Sequence, residues 1–148
     1  MIGYRQPIMQ RLGRQLVLAL LLVLGLSACG AQPMLPTLAP DHVRQQQVVA
    51  GFTFTLDTAE APLINQTQQL LVTLTDRQGA AIADADVYFD MEMDMICLSG
   101  SKPIADPSGN GSYAIETVYP MPGDWRITVY ATVDGNTHQA LFATTVTE

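Results

Sequence analysis

Between residues 90 and 97 the chain reads Asp-Met-Glu-Met-Asp-Met-Ile-Cys. Alternate residues of a strand share a face. Met91, Met93, Met95 and Cys97 therefore line up on one side, in phase with Val87 and Phe89. Asp86, Asp90, Glu92 and Asp94 take the other side. Three thioethers and a thiol are soft donors, a set that favours Cu(I) over hard ions or zinc. Neighbours on a strand face start about 7 Å apart, a distance that flexible methionines can close on one ion. Met121, in the corner Pro120-Met121-Pro122-Gly123, adds a sulfur if that corner falls at the same end of the fold. His138, just after a turn, is a further candidate ligand.

A second reading of the same residues stays open. Methionines in phase with Val87 and Phe89 are equally what a core requires, because thioethers fill irregular gaps, and Cys97 would then be a small buried apolar residue. The acidic side also has two readings. Calcium needs carboxylates around a point, whereas a strand spreads them along a line. A solvated outer face that discourages edge-to-edge pairing fits that spacing better.

Other chemistry finds little support. The two histidines are His42 and His138, and no serine or cysteine has a recognisable base near it in sequence. Phosphate-binding glycine loops, hydrolase signatures and zinc-ligand spacings are missing. The expectation is a protein that is not an enzyme.

Elements that would position the methionine run follow from alternation with period two, which dominates from Phe52 onward. Phe52, Phe54 and Leu56 alternate with polar residues, as do Leu70, Val72 and Leu74, and later Trp125, Ile127, Val129 and Ala131. Turn chemistry separates these runs at Asp76–Gly79, Gly109–Gly111, Pro120–Gly123 and Asp134–Asn136. Short strands with a turn every ten residues or so predict an all-β antiparallel sandwich of about seven strands in two packed sheets. Trp125 is expected between its sheets.

The N-terminal segment predicts where the domain works. Arg5, Arg11 and Arg14 precede an apolar run from Leu16 to Leu26, which ends in Leu26-Ser27-Ala28-Cys29. That is the layout of a secretory signal, too short to span a bilayer. A cysteine after two small residues is a lipobox, so residues 1–28 read as a lipoprotein signal peptide and Cys29 as the lipidation site. The lipid on Cys29 is then the attachment to the membrane, and the protein works in the cell envelope, outside the cytoplasm. Removal of the signal leaves Arg44, Arg77, Lys102 and Arg126 against fourteen acidic residues, a net charge of −10. Such a surface repels phosphate backbones, which argues against nucleic acid as a partner. Residues 29–47, with Pro33, Pro36, Pro40 and Gln45-Gln46-Gln47, read as lipidated cysteine and tether, and residues 48–148 as one folded domain. Lipidation uses Cys29, so Cys97 has no intramolecular partner.

Three segments carry a family resemblance. Gly79-Ala80-Ala81-Ile82-Ala83-Asp84-Ala85-Asp86-Val87 resembles the "G-x-P-[VI]-x-x-A-x-V" turn and strand of YtkA-like and FixH-like envelope domains, with Ala81 in place of the usual proline. Gly111-Ser112-Tyr113 resembles their "G-x-Y" strand start, and Met121–Val129 is similar to their "M-x-G-x-W-x-[IV]-x-V" signature. A methionine-rich stretch lies between the first two elements in those families, as Met91, Met93 and Met95 do here. The chain departs from them in carrying Cys97 and Leu98 after that stretch. It also has a lipid where FixH-like proteins have a spanning helix. The resemblance implies an immunoglobulin-like sandwich in the envelope, and FixH-like proteins are associated with the assembly of copper-containing oxidases. The expected function is a lipid-anchored, non-catalytic domain that binds Cu(I) for handling or delivery to a copper-receiving protein. The alternative is a module that binds or braces another envelope protein without metal.

Overall fold

The computed structural model describes residues 35–93 and 102–148. The expected signal segment, Cys29, Asp94, Met95 and Cys97 lie outside them. Eight strands form among the described residues: β1 (His42–Val49), β2 (Phe52–Ala59), β3 (Thr67–Thr75), β4 (Asp86–Met93), β5 (Asp106–Gly109), β6 (Ser112–Val118), β7 (Gly123–Val133) and β8 (Asn136–Val146). A five-stranded sheet runs β1-β2-β3-β6-β5, and a three-stranded sheet runs β4-β7-β8. All these pairings are antiparallel. The fold is thus the all-β antiparallel sandwich that the alternation predicts, and it agrees with the immunoglobulin-like form that the resemblance implies.

Inward-facing residues of both sheets make the core. Phe54 and Leu56 of β2, Leu70, Val72 and Leu74 of β3, and Tyr113 and Ile115 of β6 meet Val87, Phe89, Met91 and Met93 of β4 and Trp125, Ile127, Val129 and Ala131 of β7. Burying a large apolar side chain contributes about 1.5–3 kcal/mol, so this face drives the assembly.

The first strand begins earlier than composition suggested. Gln45-Gln46-Gln47, assigned above to the tether, are part of β1. Gln45 Nε2 donates to the Ala143 carbonyl at 2.8 Å, and Gln47 Nε2 donates to the Leu141 carbonyl. The two amides cross from the edge of one sheet to the open edge of the other, occupying carbonyls of β8 that would otherwise invite another strand. Beside them on the outer face, Arg44 grips the buried Asp57 bidentately, Nε and Nη2 each 2.6 Å from a carboxylate oxygen. Arg44 Nη2 also donates to the Pro36 carbonyl at 2.7 Å, which fixes the segment leading into β1.

Strand β6 starts on Gly111-Ser112-Tyr113, and each outer member of that motif has a mechanical reason. Gly111 has φ +73°, and a Cβ there would lie 2.9 Å from both the Ile82 nitrogen and the Leu74 oxygen. Only glycine allows that approach. The Tyr113 hydroxyl donates to the Ile82 carbonyl and accepts from the Ala85 amide, both at 2.9 Å, so it ties the approach to β4 onto the other sheet.

Tyr119 is a contrasting case, for its hydroxyl is buried with no partner and burial pushes its pKa up to about 12. Above pH 10 the phenol ionises in the unfolded chain and stays protonated in the folded one. The stability it contributes is complete below that pH and falls by about 1.4 kcal/mol per unit as pH rises to 12. Chemical denaturation at pH 7 is expected to show Tyr113→Phe less stable by about 1–3 kcal/mol. Tyr119→Phe is expected to be neutral or stabilising there, and to raise the midpoint of alkaline unfolding.

Candidate functional site

Strand β4 is paired with β7 in continuous register, Met91 opposite Ile127 and Met93 opposite Trp125. Both methionines are buried and face the core, in phase with Val87 and Phe89. Met91 sits among core residues well inside the strand. Met93 closes it, and its methyl group occupies the space left by Gly123, where a Cβ would lie 3.0 Å from Met93 Cε. Gly123 follows Met121 by two residues, and Trp125 Nε1 donates to the Met121 carbonyl at 3.1 Å. Tyr119 packs edge-on against Trp125, with ring centroids 5.2 Å apart. Met121 is partly buried against the same core. The corner and the end of β4 therefore share one end of the sandwich, the arrangement that a further sulfur from Met121 requires.

The other candidates separate. His138 stands opposite Ala131, six positions along β7 from Trp125 or about 20 Å at strand rise. Its half-buried ring lies 4.7 Å from that of Phe52. It belongs to the end of the sandwich away from Met93 and Met121. Met95 and Cys97 follow Met93 in sequence by two and four residues and lie outside the described residues. Among the described residues no three histidine, cysteine or acidic side chains gather as a metal-holding group.

On the other face of β4 the solvated acidic row is only partly as expected. Asp86 and Glu92 are exposed, whereas Asp90 is buried. The segment after residue 101 runs antiparallel to β4, with Ile104 bridged to Tyr88, the Phe89 amide donating to the Pro103 carbonyl at 3.0 Å, and the Ala105 amide donating to the Val87 carbonyl at 2.9 Å. It brings Lys102 Nζ to 2.9 Å from Asp90 Oδ2. Asp90 first, and Tyr130 and Tyr88 in smaller measure, hold the Lys102 ammonium above its ordinary pKa. Tyr88 and Tyr130 are cross-strand partners whose rings stack at 4.6 Å and 6°. Reading by strand face misses this cluster, since Lys102 comes from outside the strand. The tyrosines, both on the outward phase of their strands, were its legible part.

Two open clefts lie near the end where the chain enters β1. One of about 330 Å³ is lined by Asp41, Glu60, Leu63, Gln66 and Gln68. The other, about 310 Å³, is lined by Gln45, Glu60, Asp124 and Thr145, and the Thr145 hydroxyl donates to Asp124 Oδ1 at 2.8 Å. No histidine lines either cleft.

A search of curated proteins finds no match to the chain. The family model described as YtkA-like matches residues 46–130, from the middle of β1 to Tyr130 of β7. That span holds the Gly79 turn, the methionine strand, Gly111-Ser112-Tyr113 and the Met121–Trp125 corner. The chain belongs to the YtkA-like family.

Proposed function

We propose that the protein is a lipid-anchored envelope domain that holds Cu(I) transiently at the end of the sandwich where Met93 meets the corner that carries Met121. The observation that supports this reading is the seating of the Met93 methyl against Gly123, two residues from Met121. Two thioethers, one from the end of β4 and one from the corner ahead of β7, thereby come to one rim, and thioether donors select Cu(I). Met95 and Cys97, next along the same chain, complete the proposed soft set. Met91 is assigned to packing, and His138 is left outside the site by its position. Exchange with a copper-receiving protein fits a rim better than an enclosed cavity.

The anchor is proposed from Leu26-Ser27-Ala28-Cys29 behind its basic and apolar segments. Two acyl chains hold a protein to a bilayer far more firmly than one. They are needed here because a net charge of −10 gives anionic headgroups nothing to attract. The second reading, a module that binds or braces another envelope protein without metal, draws on the burial of Met91 and Met93.

A Cu(I) competition titration of the reduced full chain in detergent separates the two. Met93→Leu/Met121→Leu, a volume-conserving change worth less than about 1.5 kcal/mol per site, is expected to weaken Cu(I) binding at least tenfold, with Met91→Leu unchanged. No uptake by the wild type selects the bracing module. For the anchor, Cys29→Ser is expected to move the protein from the membrane to the soluble fraction, and mass spectrometry of the wild type to show a diacylglyceryl adduct on Cys29.

A further inference from the structure

A buried carboxylate with one idle oxygen lies on the outer face of the three-stranded sheet. Asp90 is only 8 % exposed at its side chain, Lys102 contacts Oδ2, and Oδ1 is buried with no hydrogen-bond partner. A desolvated carboxylate left half-satisfied is costly. Lys102, 63 % exposed, is a compact point charge that engages one oxygen. A guanidinium would engage both, since its planar fork matches a carboxylate.

Surrounding residues extend the same preference. Tyr88 and Tyr130 stack in the adjacent row of the face, and their rings are suitable neighbours for a guanidinium plane. Ile104, bridged to Tyr88, is 82 % exposed, and Leu141, opposite Thr128 in the row of Asp90, is 50 % exposed. Aromatic residues with flanking aliphatics around one buried charge have the composition of an interface centre. A chain of net charge −7, or −10 once residues 1–28 are removed, attracts a basic partner and accelerates its encounter.

We infer that the outer face of β4-β7-β8 is a docking surface for an arginine-bearing segment of a protein partner, with Lys102 as the resident stand-in that the arginine displaces from Asp90. The incoming fork takes Oδ1 and Oδ2 together and lies along Tyr88 and Tyr130, with Ile104 and Leu141 receiving the apolar side chains beside it. Lys102 keeps Asp90 from being an unpaired buried charge when the face is free, a state that would destabilise the fold. Its displacement returns an ammonium to water, where it is well hydrated. This surface is independent of the sulfur rim and stands or falls apart from copper.

The test uses the full chain in phosphatidylcholine nanodiscs and a fluorescein-labelled peptide alternating Arg with Thr, read by fluorescence anisotropy against empty discs. Saturable binding is expected, at least threefold tighter for Lys102→Ala, because the competitor is gone. Asp90→Asn/Lys102→Met, which removes both charges and so leaves neither unpaired, is expected to lose at least tenfold with an unchanged circular dichroism spectrum. Replacing Arg by citrulline should abolish binding, and replacing it by Lys should weaken it. The inference is overturned if Lys102→Ala binds no tighter than wild type or if neither binds. It is equally overturned if the double variant binds as wild type does, which would leave only general attraction to an acidic surface.

Discussion

The pairing of β4 with β7, unbroken from Asp86–Thr132 to Met93–Trp125, is the constraint on which the rest of the molecule depends. Side chains alternate, so a slip of one residue would put Asp90 and Glu92 into the core and Met91 and Met93 into water. Burial of Trp125, Ile127, Val129 and Ala131 against β2, β3 and β6 makes such a slip prohibitive. The same register that seats the thioethers between the sheets therefore places Asp90 and the tyrosine pair on the outside. Core and outer face are two consequences of one pairing. The Tyr113 hydroxyl reinforces it, since its bonds to Ile82 and Ala85 position the chain just before β4 begins.

Much of this was legible in the sequence because the information was local. Alternating apolar residues gave the strands and their faces, and Asp134-Gly135-Asn136 marked the hairpin in which Asp134 and Gly135 take positive φ. Non-local features were not legible. Gln45 and Gln47 have the composition of a linker, yet their backbone pairs with Leu56 and Phe54 of β2, and their side-chain amides reach carbonyls 98 and 94 residues away. Asp90 reads as one of a solvated row, yet it is buried and paired with Lys102, from the segment after residue 101 that runs antiparallel to β4. His138 reads as exposed because a turn precedes it, yet its strand phase turns it toward Phe52.

The methionine run shows how a one-dimensional pattern divides in three dimensions. Spacing by two places Met91 and Met93 on one face without saying how deep each lies. Depth comes from the neighbours: Ile127 opposite Met91 is fully enclosed, whereas Met93 faces a corner that needs a glycine to make room for it. Glycine at 123 takes φ +128°, a value that other residues rarely adopt, so the turn and the space beside Met93 have the same origin. Packing and ligation are thus not rival descriptions of the whole run. On the copper reading proposed above, packing holds for Met91 and ligation begins at Met93, as the strand passes from the interior to the rim.

Chain direction adds a final constraint. Strand β1 starts at His42 opposite Ala59, β7 starts at Gly123 opposite Val146, Leu63 is bridged to Thr147, and the Asn65 amide donates to the Tyr119 carbonyl. These contacts gather at a single end of the sandwich, which is also the end where Met93 meets the Met121 corner. The segment held by Arg44 through Pro36 enters there too. The Tyr88–Tyr130 and Asp90–Lys102 cluster, by contrast, lies along the side of the three-stranded sheet, on the face turned away from the core. An end and a side can be engaged at the same time by different molecules. The proposed sulfur rim and the proposed carboxylate-centred face are thus reached from opposite faces of a single strand, β4.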